Sequence, residues 1–72
     1  MEYLVEWACG TFTVMTAEKL AHDIAEWMDG WKKNPRPVYR LIPGQAPKRY
    51  TVKFVKNSWY LADQYGNNLL IL

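Results

Sequence analysis

Seventy-two residues, half of them hydrophobic, make one domain spanning 1–72, and a chain this short buries only about 60% of its unfolded surface, so its core must be efficient. Four Trp, five Tyr and two Phe supply that area. One cysteine, Cys9, excludes an intramolecular disulfide, the usual staple of small secreted domains, and makes a reducing cytoplasm the expected location.

The net charge of +2 is unevenly divided. Residues 1–31 hold six acids and one base, whereas residues 32–72 hold eight bases and one acid. Such asymmetry bears on partners, although the two halves also complement each other within one fold. There is no apolar run of about 18 residues and no basic-then-apolar leader, so no membrane association is expected.

Residues 3–15 read as a hairpin. Tyr3, Val5 and Trp7 alternate with Leu4, Glu6 and Ala8, and after Gly10 the residues Phe12 and Val14 alternate with Thr11, Thr13 and Met15. A two-residue Cys9-Gly10 turn sets Trp7 opposite Phe12 and Val5 opposite Val14, all on one face. Cys is a poorer first turn residue than Asn or Asp, which leaves a bulged turn as the alternative.

Thr16 to Trp31 reads as the one amphipathic helix. Ala17, Leu20, Ala21, Ile24, Trp27, Met28 and Trp31 recur at three- and four-residue spacing. Thr16 is the expected N-cap and Glu18 an acid in the first turn. Gly30 is expected to end the helix, with Pro35 and Pro37 preventing a restart. Asp29 then lies at the C-terminal end, where the helix dipole opposes an acid.

Val38–Ile42 reads as a strand and Pro43-Gly44 as a turn. Residues 49–55 and 58–63 form a second hairpin about Lys56-Asn57, with Phe54 opposite Trp59, Val52 opposite Leu61 and Tyr50 opposite Asp63. Gln64-Tyr65-Gly66-Asn67 turns the chain into a last strand, with Leu61 opposite Leu70, Trp59 opposite Leu72, Ala62 opposite Leu69 and Tyr60 opposite Ile71. The expected fold is α+β, a small, largely antiparallel sheet packed against a single amphipathic helix in the order β-β-α-β-β-β-β.

One helix covers one face of a sheet. Trp7, Phe12, Val5, Val14, Phe54, Trp59, Val52, Leu61, Leu70 and Leu72 are expected in that layer. The other face is left with Tyr60, Ile71, Leu69, Ala62, Val55 and the stem of Lys53, more apolar than a half-solvated sheet calls for. Either the sheet curls to bury both faces, or this face is an interface. The uncharged strand 69–72 adds a sheet edge open to pairing.

Catalytic and metal chemistry find little footing. His22 with Glu18 and Glu26 lines one helix row at i, i+4 spacing, but no second His or Cys joins them, so no metal and no cofactor is expected. Cys9 with His22 as base lacks an orienting third group, so no catalytic residue is assigned and no enzyme is expected.

The expected function is protein binding by a small module, in the form of an inhibitor or regulator of a larger host complex, such as a nucleic-acid-handling or defence complex, as short phage reading frames often encode. The residues assigned to that interface are Lys53, Tyr60, Leu69 and Ile71 on the sheet, with Glu26 and Asp29 on the helix. An RNA- or single-stranded-DNA-binding module using Arg40, Arg49, Lys53 and Tyr60 is the alternative. A structural homodimer, sharing the sheet surface, is the third reading.

Overall fold

The computed structural model describes residues 2–71. In chain order these form β1 (Glu2–Glu6), β2 (Phe12–Thr16), α1 (Ala17–Glu26), α2 (Met28–Lys33), β3 (Pro37–Leu41), β4 (Lys48–Val55), β5 (Ser58–Ala62) and β6 (Asn68–Leu70). The fold is α+β. The six strands make one sheet ordered β2-β1-β3-β4-β5-β6, and every neighbouring pair is antiparallel. Strands β3 to β6 follow one another as a meander, while β1 pairs with β2 on one side and with β3 across the helical segment on the other.

Alternation along the strands sorts the sheet into two faces. Tyr3, Val5, Met15, Val38, Tyr50, Val52, Trp59 and Leu61 are buried on the face under the helices, where they meet Leu20, Ile24 and Trp31. Trp7 and Phe54 are half-buried against this cluster. The Phe54 and Trp59 rings lie 4.8 Å apart, and Lys32 Nζ sits 4.3 Å above the Phe54 ring.

The helical segment begins as its sequence dictates and then departs from it. Thr16 Oγ1 accepts a hydrogen bond from the Lys19 N–H at 3.2 Å, a side-chain N-cap. The single helix expected over 16–31 is instead two, because Trp27 leaves helical geometry at φ −121°, ψ 41°. Nor does Gly30 end the segment: α2 runs through it to Lys33 and is capped at Asn34, just before Pro35. The break divides the apolar stripe. Leu20, Ile24 and Trp31 are buried, whereas Trp27 is 65% exposed and Met28 also faces solvent. It also reverses the reading of Asp29, which stands in the first turn of α2 with Lys32 and Lys33 in the last, an arrangement that suits the dipole.

Turn chemistry fixes each register. Lys56 and Asn57 both adopt positive φ, 50° and 62°, the two-residue turn whose twist matches paired strands. Phe54 accordingly opposes Trp59 and Val52 opposes Leu61, as expected from sequence. Replacing Lys56-Asn57 with Asn-Gly (Lys56→Asn, Asn57→Gly) relieves the left-handed strain and is expected to raise stability by about 1 kcal/mol. A higher urea midpoint at unchanged slope would show it, and a midpoint at or below wild type would contradict it.

The other two hairpins are each displaced by one residue from expectation. In the first, the Trp7 N–H donates to the Thr11 carbonyl at 2.9 Å and the Gly10 N–H to the Trp7 carbonyl at 3.0 Å. The loop is therefore Ala8-Cys9-Gly10, with Gly10 at φ +84°. This is the bulged turn left as the alternative by the sequence, three residues long with its glycine last, and it pairs Leu4 with Val14 and Glu6 with Phe12. In the last hairpin the Asp63 N–H donates to the Asn67 carbonyl at 3.0 Å and the Gly66 N–H to the Asp63 carbonyl at 3.2 Å. Tyr60 consequently opposes Leu70 and Leu61 opposes Leu69. A slip of one residue exchanges the faces of a whole strand. Phe12, Val14 and Leu70 thus leave the core to which the sequence assigned them, and Leu69 and Ile71 move to the helix side. The expected pairing of Trp59 with Leu72 lies outside the described residues.

Candidate functional site

The sheet face opposite the helices is the site the fold leaves open. No described element lies over it. Its rows follow from the registers: Val14, Leu4, Tyr39 and Arg49 form one, Lys53, Tyr60 and Leu70 another, and Phe12, Glu6, Thr51 and Ala62 a third between them. Phe12, Val14 and Leu70 are 56%, 53% and 61% exposed, and Val55 is also exposed at the far end of β4. Leu4, Tyr39, Leu41 and Tyr60 are half-buried by their neighbours in the same face. Antiparallel sheets with one solvated side usually carry polar residues there, so this array is unusual for a face in water.

Charge on this face is segregated by strand. Strand β1 contributes Glu2 and Glu6, and β4 contributes Arg49 and Lys53. The Tyr39 hydroxyl, on the strand between them, donates to Glu6 Oε1 at 3.1 Å and holds that carboxylate in place.

The residues expected at an interface are only partly gathered here. Lys53 and Tyr60 are cross-strand partners on the open face. Leu69 and Ile71 are not with them: Leu69 pairs with buried Leu61, and Ile71 packs against the core, its N–H donating to the Trp59 carbonyl at 2.8 Å. Glu26 and Asp29 are exposed on the helical layer, Glu26 Oε1 lying 2.9 Å from His22 Nε2. Asp23, the other acid late in α1, is half-buried and accepts from Trp31 Nε1 at 3.2 Å.

The basic cluster proposed for nucleic acid is divided as well. Arg49, Lys53 and Tyr60 share the open face, but Arg40 pairs with buried Tyr3 and belongs to the opposite one. Lys48 also lies on the helix side, 3.3 Å from Asp63 Oδ2. Phe12, Val14 and Leu70 are the residues missed by sequence reasoning. The signal for them was a glycine as third loop residue after a strand, at Gly10 and at Gly66.

Asp63 is the most perturbed acid. Its side chain is nearly inaccessible, and burial by itself would raise its pKa. That is outweighed by the Asn67 backbone and side chain, Lys48 and the Tyr65 N–H, so the pKa falls to about 2. Oδ1 accepts from the Tyr65 and Asn67 N–H groups, both at 2.9 Å, and Oδ2 from Asn67 Nδ2 at 3.1 Å. This is structural wiring of the last turn. The Asp63 hydrogen bond in turn raises the pKa of Lys48. In the first turn, Thr11 hydrogen bonding lowers the Cys9 thiol pKa.

A groove of about 420 Å3 lies on the other side, between the first hairpin turn and α2. Trp7, Trp27 and Trp31 line it, with Trp7 and Trp31 ring centroids 6.0 Å apart. Asp23, Lys33 and Arg36 surround it with both signs of charge, so its electrostatics select no single ligand class.

Among the described residues no three His, Cys, Asp or Glu side chains gather as a metal site, and no helix is long and apolar enough to cross a membrane. No family model matches this chain, and no curated protein or solved structure matches it either.

Proposed function

We propose that this chain acts by binding, docking a protein partner on its open sheet face. The observation that carries this reading is the exposure of Phe12, Val14 and Leu70 around half-buried Leu4, Tyr39 and Tyr60 on a face with no described cover. Aromatic anchors beside Arg49 and Lys53 suit a protein interface, where aromatic and arginine side chains contribute most. The working residues become Phe12, Val14, Tyr60, Leu70 and Lys53; Leu69 and Ile71 serve the core side. A regulator or inhibitor of a larger host complex, the role short phage reading frames often encode, is the wider form of this proposal. Its support is the exposed aromatic, aliphatic and basic side chains of the open face, whose chemistry suits a protein partner.

The test is affinity capture by the tagged chain from lysate that also contains an untagged copy, in nuclease-treated and untreated halves, comparing wild type with Phe12→Ser/Tyr60→Ala. Circular dichroism confirms that the variant is folded. The expected result is a discrete protein that survives nuclease on wild type and falls at least about tenfold on the variant. Bound material that disappears with nuclease, or that the variant retains equally, overturns the proposal.

A further inference from the structure

We infer that the occupant of the open face is a second copy of this chain, stacked sheet to sheet about a two-fold axis along β3. The inference rests on the docking role of that face and names its partner. It follows from where the strand order puts the charges. Strand β3 is flanked by β1 on one side and β4 on the other. A half-turn about an axis parallel to β3, midway between two stacked sheets, lays β1 of each copy over β4 of its partner and β2 over the partner's strand β5. Every carboxylate of β1 then meets the cations of β4, and because the operation is isologous each such contact occurs twice.

The registers fix the levels along the strands. Leu4 and Arg49 both pair with Tyr39, so an arginine of one copy falls between the levels of Glu2 and Glu6 of the other. Glu6 shares its level with Thr51, halfway between Arg49 and Lys53, about 7 Å from each along the strand. Arginine and lysine side chains span that offset across sheets about 10 Å apart. Phe12 shares a level with Ala62, which is itself almost inaccessible, so the exposed Phe12 ring lands on β5 beside half-buried Tyr60. The alternative half-turn, with its axis across the strands, would set β1 on β1 and carboxylate on carboxylate; the charges reject it.

Size is sufficient. The two longest dimensions, 34 and 27 Å, bound a face able to supply the about 800 Å2 per partner of a standard interface. Leu4 and Tyr39 lie near the axis, Phe12 and Val14 flank it on β2, and the charges of β1 and β4 between them give orientation.

Sedimentation equilibrium of the purified chain, with charge-reversed variants, tests this. Variant one is Glu2→Lys/Glu6→Lys and variant two is Arg49→Glu/Lys53→Glu, each checked by circular dichroism; Glu6→Lys and Lys53→Glu alone replace them if a double variant unfolds. Wild type is expected to dimerise in the micromolar range, each variant alone to dimerise at least about tenfold more weakly, and an equimolar mixture to recover a heterodimer. A wild type that stays monomeric to about 1 mM, or a mixture no tighter than the separate variants, overturns the inference. That failure is distinct from failure of the docking role, which occurs if the bound material disappears with nuclease or if Phe12→Ser/Tyr60→Ala captures the same protein equally.

Discussion

Ile24→Ala is expected to lower stability by about 3–4 kcal/mol. Ile24 is wholly inaccessible, in the only helix longer than two turns among the described residues, and it seals the cluster beside Leu20. Truncating it removes the transfer free energy of three carbons and leaves a cavity that a sheet of fixed register cannot collapse to fill. A domain of this size has only about 4–11 kcal/mol in total, so the midpoint of thermal unfolding should fall by at least about 12 °C. Trp27→Ala is the matched control: its ring is mostly in water, and the change should stay within about 0.5 kcal/mol. Thermal circular dichroism of both variants decides the point. Equal midpoints would mean that α1 does not cap the core as described.

The second large effect is expected from Asp63→Asn. Four donor groups converge on this carboxylate from Lys48 on β4 and from the turn leading into β6. Asparagine preserves the shape but removes the charge and one acceptor, and it sets an amide against donors. Hydrogen exchange should show protection lost first in β6 and the 64–67 turn. The pH dependence has a defined sign. The folded-state pKa of about 2 lies below the ordinary 3.8, so the stabilisation is full above about pH 4 and is lost as pH falls toward 2. Between pH 4 and 2, wild type should lose clearly more stability than Asp63→Asn. Parallel acid-unfolding curves would contradict the assignment.

Local chemistry explains what was readable in the sequence. The Lys56-Asn57 hairpin was readable because a two-residue loop admits one register consistent with Phe54 against Trp59 and Val52 against Leu61. Thr16 announced the helix start with its own side chain. The other two hairpins failed by one residue for a shared reason: Gly10 and Gly66 are each the left-handed third residue of a bulged turn, and a count of loop residues does not see the bulge. That slip carried Phe12, Val14 and Leu70 across the sheet, and with them half of the candidate site. Tyr60 and Lys53 were placed correctly because their strands belong to the hairpin whose turn was clear. The break at Trp27 has no sequence signal, since Ala17 to Trp31 contains no proline and Gly30 lies beyond the break. The pairing of β1 with β3 is set by tertiary packing, to which no local pattern points.

That pairing also dictates how the chain assembles in time. Strands β3 to β6 zip together through short loops, and β1 with β2 through one more, so both pieces form from contacts close in sequence. The β1–β3 ladder joins them, and it closes the longest loop in the sheet, with both helices inside it. Until this seam forms, the meander lacks its helical cover, because α1 packs on β1 and β2 and only α2 reaches across to β4. Docking of the amino-terminal hairpin onto the meander is thus the step expected to be slowest in folding. A chain stalled before it carries uncovered Val52 and Leu61 and bare strand edges at β1 and β3, the conditions under which growing polypeptides pair with the wrong neighbour.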